Sequence, residues 1–449
     1  MTWPDEAVAD GSATTPGHPS RSALFTAVRA DPAGPVATRL LQLAHADAPH
    51  VRRAALDLLH GLAGTRAVDA ALARLDDPDA EVRHRAARLV GQYGRPDQVR
   101  AALAAVPDPV VRTLLAASLG PAVARLGDDR LASVRFLARL HLLRTAPPAR
   151  WRALDAALMA DAEEAALHLE GAGRLWGRAL HQLAREQHAY DITARLLATP
   201  GTRGVGAELA REACHIWRAA PVALLPLLLR HQSQETEITP GLDKAVTTAL
   251  LSEAARRTHR SLLTGVLSVP PTAAVTAPAP LTAASAALLL SARPVGIVRL
   301  RRAGEIFGAL LDSGPLSFRQ AAQLYNLTFH RPGRAQAECA PLWLRHAGPA
   351  ALSRLLALMT PHLADYAIGT YYLAGLARMG RAARPALPAV TALIDRRTRI
   401  PVNDSTRDGE TRLDERLLAA ALTTRRAILV GTGRTGPRTG AVAAPVVRL

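Results

Sequence analysis

The sequence predicts an all-α fold, an α-solenoid in which helix pairs stack into a superhelix. Three observations predict it. Apolar residues make up 49% of the chain but aromatics only 4%, so most of the core must be Leu, Val and Ala, and Ala, Leu and Arg head the helix-propensity scale. A Val-Arg dipeptide returns at Val51-Arg52, Val82-Arg83 and Val111-Arg112, at intervals of 31 and 29 residues. No run of alternating Val, Ile, Thr and aromatics suggests a sheet.

The first repeat opens after the turn Ala-Asp-Ala-Pro at 46–49, the second after Asp-Asp-Pro-Asp at 76–79, the third after Pro-Asp-Pro at 107–109. Asp accepts hydrogen bonds from the free amides of the next helix and Pro suits its first turn. The apolar positions then keep one register: Val51, Ala55, Leu58, Leu59 and Leu62; Val82, Ala86, Leu89, Val90 and Tyr93; Val111, Leu115, Ser118, Leu119 and Ala122, a weaker match. These offsets define one helix face. Gly64, Gly94 and Gly120 follow the three helices as expected left-handed C-caps. Before each turn lies another short apolar segment: Val36–Ala44, Ala67–Leu75 and Pro96–Ala105. The unit is helix, tight turn, helix. Arg52 and Arg83 are expected near the turns, bonded to acidic side chains or carbonyls of their own or neighbouring repeats; Val51, Val82 and Val111, with Arg112, complete the structural set.

The stretch D-P-D-A-E-V-R-H-R-A-A-R-L-V-G at 77–91, with its two partners, resembles HEAT repeats of the short type also found in phycobilisome-lyase-like proteins. A second patch, G-R-A-A-R-P-A-L-P-A-V at 380–390, is similar to the start of such a repeat, with Pro385 and Pro388 in or near the first turn of a helix. The resemblance implies stacked helix pairs sharing one continuous core. It implies no particular activity, because these arrays serve many purposes. Nothing marks a tetrapyrrole pocket for a bilin lyase.

Beyond residue 125 the pattern stays helical but the spacing degenerates; Val134-Arg135 arrives early for a fourth repeat. The expected organisation is a disordered segment at 1–22, repeats over 23–268, a Pro-rich linker or loop at 269–280, further repeats over 281–430, and a disordered tail at 431–449. No stretch reaches the roughly 18–20 apolar residues of a membrane span, and the N-terminus has no secretory h-region; a cytoplasmic location is expected.

The net charge of +17 comes from 55 basic residues of which only Lys244 is lysine. Proteins that bind nucleic acid usually draw on both types, so the bias reads as that of a high-GC bacterial genome. Cys214 and Cys339 offer no disulfide framework and no zinc or redox motif. No P-loop, G-x-G-x-x-G after a strand, G-x-S-x-G or H-E-x-x-H occurs. Glu164 and His168 share a helix face, as do His181, Arg185 and His188; NDSTRDGE at 403–410 reads as a polar surface loop. No cofactor and no metal are expected.

Trp151, Trp176, Trp217 and Trp343 fall on predicted helices, where core packing is expected of them. A sharper alternative is a nucleic-acid role. Trp151, Arg152 and Asp155 cluster within one turn and are similar in kind to the tryptophans and carboxylate of alkylpurine-DNA glycosylases, another family of HEAT-like solenoids, though no motif of that family matches residue by residue. The expected function is a non-catalytic scaffold or adaptor with a protein partner on a concave face. Only weak, non-specific nucleic-acid binding is expected, and no membrane contact.

Overall fold

The computed structural model describes residues 3–9, 19–60, 64–168, 175–177, 179–180, 186–234, 241–252, 257, 281–291, 293, 300, 302–400 and 406–431. The described residues are helical with no β-strand. The chain divides into two compact units, residues 1–255 and 256–449. The Pro-rich segment 269–280 lies outside the described residues.

In the first unit the helices are α1 Trp3–Ala9, α2 Pro19–Ala30, α3 Pro35–Leu43, α4 Pro49–Leu59, α5 Thr65–Leu72, α6 Ala80–Tyr93, α7 Pro96–Ala105, α8 Pro109–Ser118, α9 Ala132–Thr145, α10 Pro148–Ala166, α11 Glu186–Ala198, α12 Arg203–Ile216, α13 Ala220–Gln234 and α14 Leu242–Ala249. Pro35, Pro49, Pro96, Pro109 and Pro148 each sit in a first turn, where the missing amide would have had no intrahelical partner. Helices α4, α6, α8 and α9 pack each on the next, while α3, α5 and α7 each cover one of them. This is the two-layer stacking of a solenoid, and one continuous apolar core runs from Ala7 to Val246 and Ala249.

Val82, Ala86, Leu89 and Val90 are fully buried, as are Ala55, Leu58 and Leu59. Val51 is half-buried, and Leu62 lies outside the described residues. In the third repeat the expected stripe is broken: Leu119 is half-buried against the core, but Ser118 and Ala122 are exposed. Helix α8 ends at Ser118, and a 3-10 helix, Gly120–Leu126, takes over, so the 100° periodicity no longer applies.

The glycine caps also differ from expectation. Only Gly120 is left-handed, with φ +55°. Gly64 is extended and opens α5. Gly94 has φ −68° and ψ 145° and is extended rather than left-handed; Arg95 after it is held extended (ψ 148°) by Pro96. Residues 3–9, in the stretch expected to be disordered, form α1. Ala7 and Val8 are buried in the core, and Asp5 accepts from Arg39 Nε at 2.8 Å; this anchoring is tertiary and leaves no local signal.

The second unit contains α15 Ala283–Ser291, α16 Ala303–Ser313, α17 Phe318–Phe329, α18 Arg334–Ala347, α19 Leu352–Met359, α20 Gly369–Met379, α21 Leu387–Asp395 and α22 Arg407–Val430. Helices α16, α18, α20 and α22 pack in sequence, with α15, α17 and α21 against them, the same alternation as in the first unit. Its two apolar clusters meet at Trp343, which packs against both. Residues 380–390 split into a 3-10 helix, Gly380–Ala386, and the start of α21, with Pro388 in its first turn.

Candidate functional site

The residues placed together most regularly are the arginines of the Val-Arg dipeptides. The Arg52 guanidinium donates back to the carbonyls of Ala46 (2.9 Å) and Asp47 (2.6 Å) and forward to Asp77 Oδ1 at 2.7 Å. Arg83 repeats this one step along, donating to the carbonyls of Asp77 (2.8 Å) and Pro78 (3.2 Å) and to Asp108 Oδ2 (2.8 Å). Each arginine therefore closes its own turn and reaches the next. The carboxylates work in two directions as well. Asp108 Oδ1 accepts from the amides of Val110 and Val111 at 2.9 and 3.0 Å, capping α8, while Asp77 accepts from the amide of Asp79, which itself caps α6 through Val82 N at 2.9 Å. The first turn departs from this scheme: Ala48, with no side-chain acceptor, stands at the N-cap of α4.

Arg112 reaches Asp129 through Nη2 at 2.7 Å and Nε at 3.2 Å and bonds the Leu103 carbonyl. Arg135 bonds the carbonyls of Asp129 (2.8 Å) and Arg130 (3.0 Å) and Asp161 Oδ1 (2.9 Å). Val134-Arg135 thus occupies the same structural position as the three earlier dipeptides. It arrives early because α8 is shorter than α6 and the 3-10 helix Gly120–Leu126 follows it after a single residue. Asp129 and Asp161 were missed in the sequence; Asp129 stands in the turn before α9, whereas Asp161 lies inside α10, where no turn signal marks it.

Burial by itself would raise the carboxyls of Asp77, Asp108 and Asp129. Bonds from Arg52, Arg83 and Arg112, together with backbone amides, outweigh it and hold all three below the usual carboxylate range.

The structure brings Trp151 and Asp155 together with His188, from α11. The Trp151 and His188 rings lie 5.0 Å apart, tilted by 31°. His188 Nε2 is 3.1 and 3.2 Å from the two oxygens of Asp155, and Arg195 lies 3.6 Å from the same carboxylate. Trp151 Nε1 donates to the Ala146 carbonyl at 3.0 Å. Arg152 is exposed. The carboxylate already has a cation and an imidazole as partners, and the indole is half-buried and bonded to its own helix entry. His181 and Arg185 lie outside the described residues.

The remaining candidates pack. Trp176 is fully buried, edge-on to Phe136 at 5.1 Å, its Nε1 donating to the Ser133 carbonyl at 3.2 Å. Trp217 meets Tyr190 edge-on at 5.9 Å. Trp343 lies against Tyr325 and Phe329. Cys214 and Cys339 are buried thiols, and burial pushes Cys339 up to about 12, which removes its nucleophilic thiolate at neutral pH. Glu164 pairs with Arg135 at 3.4 Å rather than with His168. Residues 403–405 of the polar loop lie outside the described residues. Among the described residues no three His, Cys, Asp or Glu side chains are grouped to hold a metal ion, and no helix is long and apolar enough to cross a membrane.

No curated protein matches the chain. Residues 37–120, the stretch in which the arginines climb from turn to turn at regular spacing, match the family model of HEAT repeats, and the chain therefore carries a HEAT-repeat segment within an all-α solenoid.

Proposed function

We propose that this protein is a non-catalytic interaction scaffold or adaptor that binds other proteins along the faces of its stacked helices, in the cytoplasm. The observation that supports this most is the destination of its arginines. A guanidinium that neutralises phosphates must be exposed, yet the side chains of Arg52, Arg83, Arg112 and Arg135 are only 7, 22, 11 and 21% exposed and are bonded to turn carbonyls and aspartates. In the first unit these basic side chains hold repeats in register. What the stack then presents is a long series of helix surfaces with replaceable side chains, which suits macromolecular partners more than a small substrate.

The competing reading is a nucleic-acid-binding solenoid, a glycosylase-like enzyme in its sharpest form, with Trp151, Arg152 and Asp155 as contacts. It has the net charge in its favour, while the Asp155 carboxylate is occupied by His188 and Arg195. A gel-shift titration with random and alkylated duplexes separates the two. The scaffold reading expects weak binding without sequence preference that falls steeply between about 50 and 200 mM salt. Sub-micromolar preference for the alkylated duplex, lost in Trp151→Ala or Asp155→Asn, overturns it. Cross-linking of the full chain in native lysate, followed by identification of bound proteins, is the matching positive test.

A further inference from the structure

A cleft of about 1130 Å³ in the second unit lies beside α15, α16 and the start of α18. Among the described residues its lining carries four arginines, Arg293, Arg302, Arg331 and Arg334, against one carboxylate, Glu338. Arg334 Nε donates to Glu338 at 2.6 Å and its guanidinium lies over the Tyr371 ring, 5.4 Å from the centroid; Arg302 pairs with Glu305 through Nε at 3.0 Å. Arg293 and Arg331 are exposed and have no ion-pair partner among the described residues. These are basic side chains without the structural employment seen in the first unit. Arg302 is also the one non-glycine residue with positive φ, 58°, among the described residues, a conformation disfavoured for side chains with a Cβ.

The cleft is not simply a polyanion surface, because its other lining is apolar. Ile306 is buried, but Leu289 is 47% exposed within it, and Leu288 beside it on α15 is 74% exposed. Exposed neighbouring leucines on a helix mark a surface that gains from being covered. We infer that this cleft docks an acidic amphipathic segment of a partner protein, whose carboxylates meet Arg293 and Arg331 and whose apolar side chains cover Leu289. Charge complementarity sets the sign of the partner. The volume exceeds the usual range of small-molecule pockets, and the leucines call for apolar anchors that a phosphate backbone lacks. Among the described residues no aromatic ring lines the cleft to stack bases. The first turn of α18, the positive end of that helix, adds to the same preference. This inference rests on the scaffold reading and names the chemistry of one partner.

The test is fluorescence anisotropy of the full chain at about 150 mM salt with three labelled peptides: an amphipathic Glu/Leu peptide, the same peptide with its leucines replaced by serine, and a Lys/Leu peptide. Only the first is expected to bind well. The double variant Arg293→Ala/Arg331→Ala is expected to weaken it about tenfold or more with unchanged circular dichroism and melting, since neither guanidinium holds the fold together. Leu289→Glu is expected to weaken it comparably. Equal binding of the serine peptide, unchanged affinity in both variants, or stronger capture of duplex DNA through the same two arginines overturns the inference. If the variants leave peptide binding unchanged while the full chain still cross-links to lysate proteins, the docking cleft falls and the scaffold reading stands; if neither peptide nor protein is bound, both fall.

Discussion

At the scale of single residues, the Arg52–Asp77 pair is where stability is most concentrated. Both side chains are almost fully removed from water, 7 and 0% exposed, so deleting one leaves the other charged and buried. Arg52→Ala is expected to cost about 3–5 kcal/mol, and Asp77→Ala a similar amount. A double-mutant cycle by urea denaturation checks this, and the double variant should lose less than the sum of the singles. The aspartates also set a pH dependence. With their folded values depressed, Asp77, Asp108 and Asp129 contribute stability fully present above the unfolded value of about 3.9 and lost as pH falls through the folded ones. Burial lowers His60, His84 and His141 as well. Below about 6.5 the unfolded chain gains protons that these native imidazoles resist, so stability also declines from there. The expected profile is a gentle fall in the denaturation midpoint below about pH 6.5 and a steeper one below about pH 4. Asp77→Asn and Asp108→Asn should flatten the lower limb; a limb that stays equally steep in both would show that other carboxylates produce it.

At the scale of the helix pair, Asp79 and Asp108 separate two roles that sequence alone merges. Both cap a helix by accepting from first-turn amides, a bond worth about 1 kcal/mol. Asp108 in addition receives Arg83 from the previous repeat at 2.8 Å, whereas Asp79 has only a longer approach of 3.6 Å from Arg53. Asp79→Ala should therefore lower stability by about 1 kcal/mol and Asp108→Ala by about 2–3 kcal/mol. Thermal melts of the two variants in parallel decide it: equal losses would mean that the arginine contributes nothing across the turn. Within the same pair, Leu89 is fully buried, and Leu89→Ala should cost about 2–5 kcal/mol through lost contacts and the cavity left behind.

At the scale of the whole molecule, repeat architecture predicts where that damage goes. Neighbouring helices in a stack share interfaces only with their neighbours. Hydrogen exchange in Leu89→Ala should therefore rise in α4, α6 and α8 and leave residues 350–390, in the second unit, unchanged. Exchange rising equally at 350–390 would show one cooperative core instead. The arginines likewise divide by place: Arg52, Arg83, Arg112 and Arg135 of the first unit and Arg399 of the second are held against carboxylates, whereas Arg293 and Arg331 are exposed.

Much of the architecture was legible in the sequence. Turn residues and a helical apolar period are local features, and over residues 35–105 they recur in phase, so the helix pairs and their buried faces followed from spacing: Leu58, Leu59, Leu89 and Val90 needed no contact map. What the tertiary structure decided were the acceptors of the arginines. Asp77 and Asp108 read from sequence as caps, since capping is a local bond. Their second bond spans 25 residues and exists only because stacking brings successive turns side by side. The fourth rung at Arg135 was obscured because its interval is short and because its acceptor, Asp161, lies inside α10 rather than in a turn. Asp155 shows the other limit. Its distance from Trp151 is fixed by one helical turn and was readable, while its contact with His188, 33 residues on, depended on how α11 packs. Periodicity along the chain encodes which face is buried; only packing between elements determines which charges meet there.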